Sequence, residues 1–280
     1  MTLEQRGFPE PGVGEAVLIV AHPDDEALWF SSVLDRVARI VVCFLAHRGY
    51  PELAQARRES LARHPLADRI VSLEIEESRS FAKANWSEPV ESDNGLELRA
   101  DAAAAYAESA HALASSLPPL LEDATAVITH NPWGEYGHED HVQVSRIATR
   151  AAIEGQIPVF YSNYASYRSL PLLRRYVGAG ARHYHVLPTA PALGEAIAQV
   201  YRDCGAWTWF DDYRWFGHDC YIEGPLTPGA GRDGGWVAPI NLVETRHDPM
   251  PPPGRPEPTL MDRIRRNLPG VAGTAGDRRD

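Results

Sequence analysis

Apolar residues in this chain come in short dense runs, separated by longer stretches in which they recur at helical spacing. Ala16-Val17-Leu18-Ile19-Val20 is such a run, rich in β-branched residues, and predicts a buried strand over Ala16 to Ala21. Ala27, Leu28, Phe30, Val33 and Leu34 follow at helical spacing, so a helix is expected to begin near Asp24 or Asp25. Arg39 to Leu45 predicts a second buried strand, which completes a strand–helix–strand unit with a right-handed crossover. Further along, the pattern predicts a helix over Leu53 to Arg63 and a strand over Ile70 to Ile75 with one face toward water. An alanine-rich helix over Leu98 to Leu117 is stopped by Pro118-Pro119. A strand over Ala124 to Thr129, a helix from near Asp140 through Ala151 and a strand over Pro158 to Tyr161 complete the first half. This alternation predicts an α/β fold, Rossmann-like, with a mostly parallel sheet flanked by helices.

The second half is less regular and is expected to form the rim of a pocket. Arg182 to Val186 alternates as a strand does, and Pro191 to Tyr201 has helical spacing. Asp203 to Tyr221 is densely aromatic, with Trp207, Trp209, Phe210, Tyr213, Trp215 and Phe216. Such rings either stack on a sugar face or pack a core, and the sequence leaves both open. The polar stretch from Ser78 to Gly95, which holds Trp86, reads as an irregular loop near the pocket. From about Thr245 the chain turns Pro- and Arg-rich. One domain over 1–245 is therefore expected, followed by a largely disordered tail over 246–280 with a short helix around Leu260 to Leu268.

Composition narrows the function. A net charge of −11 over 280 residues argues against a general binder of nucleic acid or anionic membrane, both of which need a basic face. Three cysteines, Cys43, Cys204 and Cys220, form neither a CxxC pair nor a disulfide framework, so a reducing compartment is expected. Met1 to Arg6 carries no apolar signal segment and no run reaches membrane-spanning length. The expectation is a cytoplasmic protein without stable membrane insertion; a homo-oligomer is left open.

Two motifs carry chemistry. Ala21-His22-Pro23-Asp24-Asp25-Glu26 crowds one imidazole and three carboxylates at a strand end, where open α/β sheets bind ligands. Imidazole and carboxylate together suit zinc, whose catalytic sites take three protein ligands and leave one position open. His22 and Asp25 are candidates for two of them, with Asp24 free to take a proton. The alternative is that Asp24 or Asp25 only caps the helix, started by Pro23. The second motif, His138-Glu139-Asp140-His141, follows another strand and a Gly-rich loop, and its two histidines stand three apart at a helix start, where one face presents both. Either motif alone is moderate evidence; the pair is specific.

With both motifs in place, roughly the first 165 residues resemble the LmbE/PIG-L family of metal-dependent de-N-acetylases, which act on N-acetylglucosamine conjugates. The resemblance implies His22, Asp25 and His141 as ligands of Zn2+, with Fe2+ or another divalent metal as alternatives, and Asp24 as general base. It implies His138 as the acid, Asp140 as the residue that orients it, and Tyr136 as a group that polarises the substrate carbonyl. The family commonly has Pro at the position of Glu139, so a charge is expected beside the acid histidine. Arg57 or Arg58 is expected to reach substrate. The implied reaction is hydrolysis of an N-acetyl or other small N-acyl group from an amino sugar. A non-catalytic sugar-binding protein on the same scaffold is the alternative, and a two-metal phosphoesterase lacks the carboxylates it would need. His47, His130, His185 and His218 are set aside as core or surface residues.

Overall fold

β1 (Ala16–Val20) is buried along its whole length, because helices cover both faces of the sheet around it. The computed structural model describes residues 8–10, 15–47, 49–176, 183–229 and 239–245. The expected tail over 246–280, with its helix at 260–268, lies outside them.

After β1 come α1 (Asp25–Trp29), β2 (Arg39–His47), α2 (Pro51–Ala62), β3 (Ile70–Glu77) and α3 (Ala100–Ser116). The chain continues through β4 (Ala126–Thr129), α4 (Glu139–Glu154), β5 (Val159–Ser162), α5 (Leu170–Tyr176), β6 (Tyr184–Pro188), α6 (Pro191–Cys204) and β7 (His218–Glu223). Seven strands form one sheet in the order β3-β2-β1-β4-β5-β7-β6. The first five are parallel to one another, while β7 is antiparallel to both β5 and β6. This is the expected Rossmann-like α/β sheet with an antiparallel extension.

Period-two alternation sorts β1 between two cores. Val17 and Ile19 pack with Leu113 of α3, with Leu117 just beyond it, and with Val144 and Ile147 of α4. Leu18 and Val20 pack on the other face with Ala27, Leu28, Ile197 and Tyr201 of α1 and α6.

Three local expectations give way to tertiary structure. The first helix is shorter than its apolar spacing suggests: Phe30 leaves helical geometry at φ −138° and ψ 18°, and Ser31–Val33 forms a 3-10 turn. There the Ser32 N–H and the Ser31 hydroxyl donate to the buried Asp219 carboxylate, at 3.1 and 3.5 Å. β7 was not expected as a strand, since its polar start, His218-Asp219, hides a run whose Asp219 is buried. The third is Ser78 to Gly95, where Glu91–Ser92 and Gly95–Leu96 form a small antiparallel hairpin. Among the described residues, no helix is long and apolar enough to cross a membrane.

Candidate active site

Strands β2 and β3 lie on one side of β1, and β4 and β5 on the other, so β1 and β4 flank a point where the connections reverse direction. Such a point opens a crevice at the carboxyl ends of the strands. The two motifs leave β1 and β4 at that crevice.

Behind β1 the chain turns sharply at Asp24, which adopts a left-handed φ of 97°. A non-glycine residue there costs on the order of 1–3 kcal/mol unless its surroundings hold it. Glu26 does so: its carboxylate accepts the Asp24 N–H at 3.1 Å and the Tyr201 hydroxyl at 2.8 Å. The turn folds Asp25 back, so that it accepts the His22 N–H at 2.7 Å and the Trp29 indole N–H at 3.0 Å. Asp24 precedes α1 yet makes no side-chain cap bond. Its carboxylate accepts instead from the Thr208 hydroxyl at 2.7 Å and the Thr208 N–H at 3.3 Å. Burial and the neighbouring Asp25 push Asp24 up to about 8, with Thr208 opposing.

Behind β4 the loop turns tightly through Gly134, where a Cβ would meet the His138 carbonyl oxygen at 2.6 Å. Glu135 is folded inward. Its carboxylate accepts from His130 Nδ1 at 3.0 Å, His141 Nδ1 at 2.8 Å, the Asn131 N–H at 3.0 Å and the Ser162 hydroxyl. Burial alone would raise Glu135, but His130 and His141 hold it down to about 2. His130 Nε2 accepts the Ala21 N–H at 2.9 Å, so both its ring nitrogens are engaged within the core. His141 differs. With Nδ1 committed to Glu135, its buried Nε2 lies 3.3 Å from Asp25 Oδ1 and makes no hydrogen bond.

His138 caps α4: its Nδ1 accepts the Asp140 N–H at 3.1 Å, which leaves the ring proton on Nε2. Asp140 therefore meets His138 through its backbone. Its carboxylate faces His22 Nε2 at 3.3 Å and accepts from the Ser78 and Ser80 hydroxyls at 3.1 and 2.6 Å. The His138 ring stacks on His141 with centroids 4.8 Å apart, and Tyr136 packs edge-on to both.

The residues present fit a divalent cation. Donor atoms of His22, Asp25 and His141 lie within 4.8 Å of one another, and the orphaned His141 Nε2 needs a partner. Two imidazoles and a carboxylate are a zinc donor set. Asp140 and Glu135 stand behind the two histidines as the carboxylates that commonly orient such ligands.

A cavity of about 410 Å³ opens over His22, Asp24, Asp25 and His138, walled by Phe81, Tyr136, Trp209 and Phe210. The aromatic segment divides: Trp209 and Phe210 face the cavity, whereas Trp215 donates to the Ala27 carbonyl and Tyr213 to that of Leu28. Of the two arginines, Arg57 lines the cavity, paired with Glu77, and Arg58 turns out to Glu74 at 3.2 Å. Glu139 does not face His138 as expected. Its buried carboxylate accepts from backbone N–H groups of residues 82 to 84, and the cause is the return of that loop over the start of α4. Glu135, Thr208, Glu77 and Ser80 were not foreseen. Glu135 could have been noticed as an acid inside the second motif's loop, but Thr208 carries no local signal.

Comparison with known proteins shows what the chain is similar to. The family described as PIG-L: GlcNAc-PI de-N-acetylase matches residues 17–152. A 1D-myo-inositol 2-acetamido-2-deoxy-alpha-D-glucopyranoside deacetylase 2 of Catenulispora acidiphila is 30% identical over 158 residues, 49% of this chain and 50% of that protein. The corresponding deacetylase of Kineococcus radiotolerans is 30% identical over 161 residues, 49% of this chain and 44% of that one. The chain thus spans about half the length of these curated relatives. The zinc-inhibited form of teicoplanin deacetylase Orf2 superposes with a TM-score of 0.50 at 15% identity, over 76% of this chain and 98% of that one, which is a likeness of fold. Over residues 17–152, just under half of its length, this chain is similar to the PIG-L (LmbE-like) family.

Proposed function

We propose that this protein is a zinc-dependent N-deacetylase that hydrolyses the acetamide of an amino sugar or its conjugate. The observation that supports this most is the convergence of His22, Asp25 and His141 beside a further carboxylate, Asp24, at the base of a cavity of about 410 Å³. That volume suits a sugar ring with part of its aglycone. The relatives' names point to 2-acetamido-2-deoxy-glucopyranosides as the substrate class.

His22, Asp25 and His141 would hold the ion. When bound, such an ion polarises the acyl carbonyl and brings the pKa of water to roughly 7. Asp24, held by Thr208 from one side, takes the proton from the attacking water. His138, whose neutral ring has a single proton on Nε2, steadies the carbonyl oxygen, and the proton taken by Asp24 passes on to the departing nitrogen. Asp140 keeps His22 in place and supplies the N–H that sets the His138 ring. Tyr136 closes the pocket over both rings. The carbon–nitrogen bond breaks, a carbon–oxygen bond to water forms, and acetate and a free amine leave. A reducing, cytoplasmic setting accords with free Cys43, Cys204 and Cys220.

The test pairs metal content with acetate release from N-acetylglucosaminyl-inositol and simpler N-acetylglucosaminides. His22→Ala is expected to lose the metal and turnover together. Asp24→Asn is expected to retain metal and lose roughly 10²–10⁴-fold in kcat. Full activity in Asp24→Asn would remove the base assignment. Sugar binding without acetate release, unchanged by chelator, would favour a carbohydrate-binding protein instead.

A further inference from the structure

Outside the candidate ligands and base, one buried carboxylate is engaged by more donors than any helix cap requires. Glu139, the first residue of α4, is fully buried. Its carboxylate accepts the N–H groups of Ala82, Lys83 and Ala84 at 3.2, 3.0 and 2.9 Å, and the Trp86 indole N–H at 2.9 Å. The Arg168 guanidinium approaches it at 3.4 Å. Arg168 also covers the rings of Phe81 and Trp86, 4.7 and 5.4 Å from their centroids. The Glu139 carbonyl in turn accepts the Tyr106 hydroxyl at 2.8 Å. A carboxylate that accepts several N–H groups in a buried setting makes charge-assisted bonds, about twice as strong as neutral ones.

The segment gathered this way is not regular structure. It includes Arg79 and Ala82, both in left-handed backbone conformations at φ 58° and 60°. Within it, backbone N–H groups that a helix or sheet would satisfy must find another acceptor. What the segment carries is part of the candidate site. Phe81 lines the cavity, with its ring centroid 4.9 Å from that of His138. Ser80, the residue before it, donates to the Asp140 carboxylate at 2.6 Å.

We infer that Glu139, backed by Arg168, is the positioning residue that holds loop 79–86 against the catalytic face, so that Phe81 and Ser80 fix His138 and Asp140 from outside the metal-binding motifs. Glu139 touches neither substrate nor metal; it acts through the loop. A carboxylate suits this place because both of its oxygens accept, whereas an amide keeps one accepting oxygen and turns an N–H group toward the remaining donors.

Two independent measurements test this on the whole chain loaded with zinc. The first is amide hydrogen exchange. In the wild type, the amides of Ala82, Lys83 and Ala84 are expected to be protected as those of α4 are. In Glu139→Ala they should exchange at least about 10-fold faster while α4 and β1 stay protected, the mark of local opening. Glu139→Gln, which retains one accepting oxygen, should recover part of the protection. Wild-type amides that exchange at the rate of open chain would overturn the inference whether or not any variant folds. So would a Glu139→Ala variant with unchanged protection. The second is kinetic and rests on the proposed deacetylase reading, which the exchange measurement does not need. Glu139→Ala should lower kcat/KM by about 10²-fold through misplacement of His138, and Glu139→Gln should restore most of it. Faster exchange in Glu139→Ala with unchanged kcat/KM would leave an anchor without a positioning role and overturn the inference. An inactive wild type with protected amides would count against the deacetylase reading and leave the latch standing.

Discussion

At the scale of single residues, the candidate site depends on carboxylates that stand behind the proposed ligands. Glu135 shows why. His141 can aim Nε2 at an ion only if its Nδ1 proton has an acceptor, and Glu135 supplies it at 2.8 Å while accepting from His130 at 3.0 Å. Glu135→Gln replaces one accepting oxygen by a donor, which then faces either a histidine N–H or the Ser162 hydroxyl and the Asn131 N–H. The variant is expected to bind zinc roughly 10–100-fold more weakly. Competition with a chelating dye measures this, and equal affinity would mean that His141 is oriented by packing alone. Glu139 is legible only in part at this scale. Its position in the His-x-Asp-His motif suggested a charge beside His138, but its carboxylate is turned toward residues 82–86.

At the scale of elements, β7 and the turn after α1 are joined through Asp219. It accepts from the Ser32 N–H, the Ser31 hydroxyl and the Tyr164 hydroxyl, all buried. Burial raises its carboxyl above the ordinary value, and the bonds from Tyr164 and Ser32 oppose the rise. The folded state therefore retains a proton that the unfolded chain has already released in the window above the usual carboxylate pKa. The sign follows: Asp219 contributes its full stability below the unfolded value of about 4, and the contribution is lost as pH rises through the raised folded value. Urea unfolding from about pH 4 to 8 should show wild-type stability declining on this account, and Asp219→Asn should flatten that part of the profile. Parallel profiles would mean that Asp219 does not titrate there. The same contacts end α1 at Trp29, so a pairing 187 residues away in sequence overrides the helical spacing of Val33 and Leu34.

At the scale of the whole molecule, the proposed ion would bind between the strand ends of β1 and β4 and tie two halves of the parallel sheet at the reversal point. An ion that binds only the folded state stabilises it by about 2.7 kcal/mol at a free concentration 100 times its Kd. For a chain of this size that corresponds to a rise of roughly 5 °C in Tm. Scanning calorimetry with zinc, and again after chelation, is expected to show that shift and its reversal. An unchanged Tm, together with no bound metal, would remove the metal site. The second half of the chain also enters at this scale. Thr208 reaches Asp24 across 184 residues, and Trp209 packs edge-on to Trp29 and Tyr136, so the segment outside the matched residues 17–152 completes the pocket.

Periodicity and spacing determined much of this protein by themselves. The alternation of buried runs with helical spacing is local, and it implied the α/β class and a mostly parallel sheet before any contact was known. The two motifs likewise brought His22, Asp25, His138 and His141 to strand ends, because a strand end presents whatever residues come next in the chain. Only the tertiary structure decided what each donor leans on: Arg57 rather than Arg58 in the cavity, Glu135 behind His141, Glu139 under loop 79–86, Asp219 ending α1. Those choices are hydrogen bonds between buried groups far apart in sequence. A buried polar group must find a partner wherever packing places one, and no local pattern of residues records where that is.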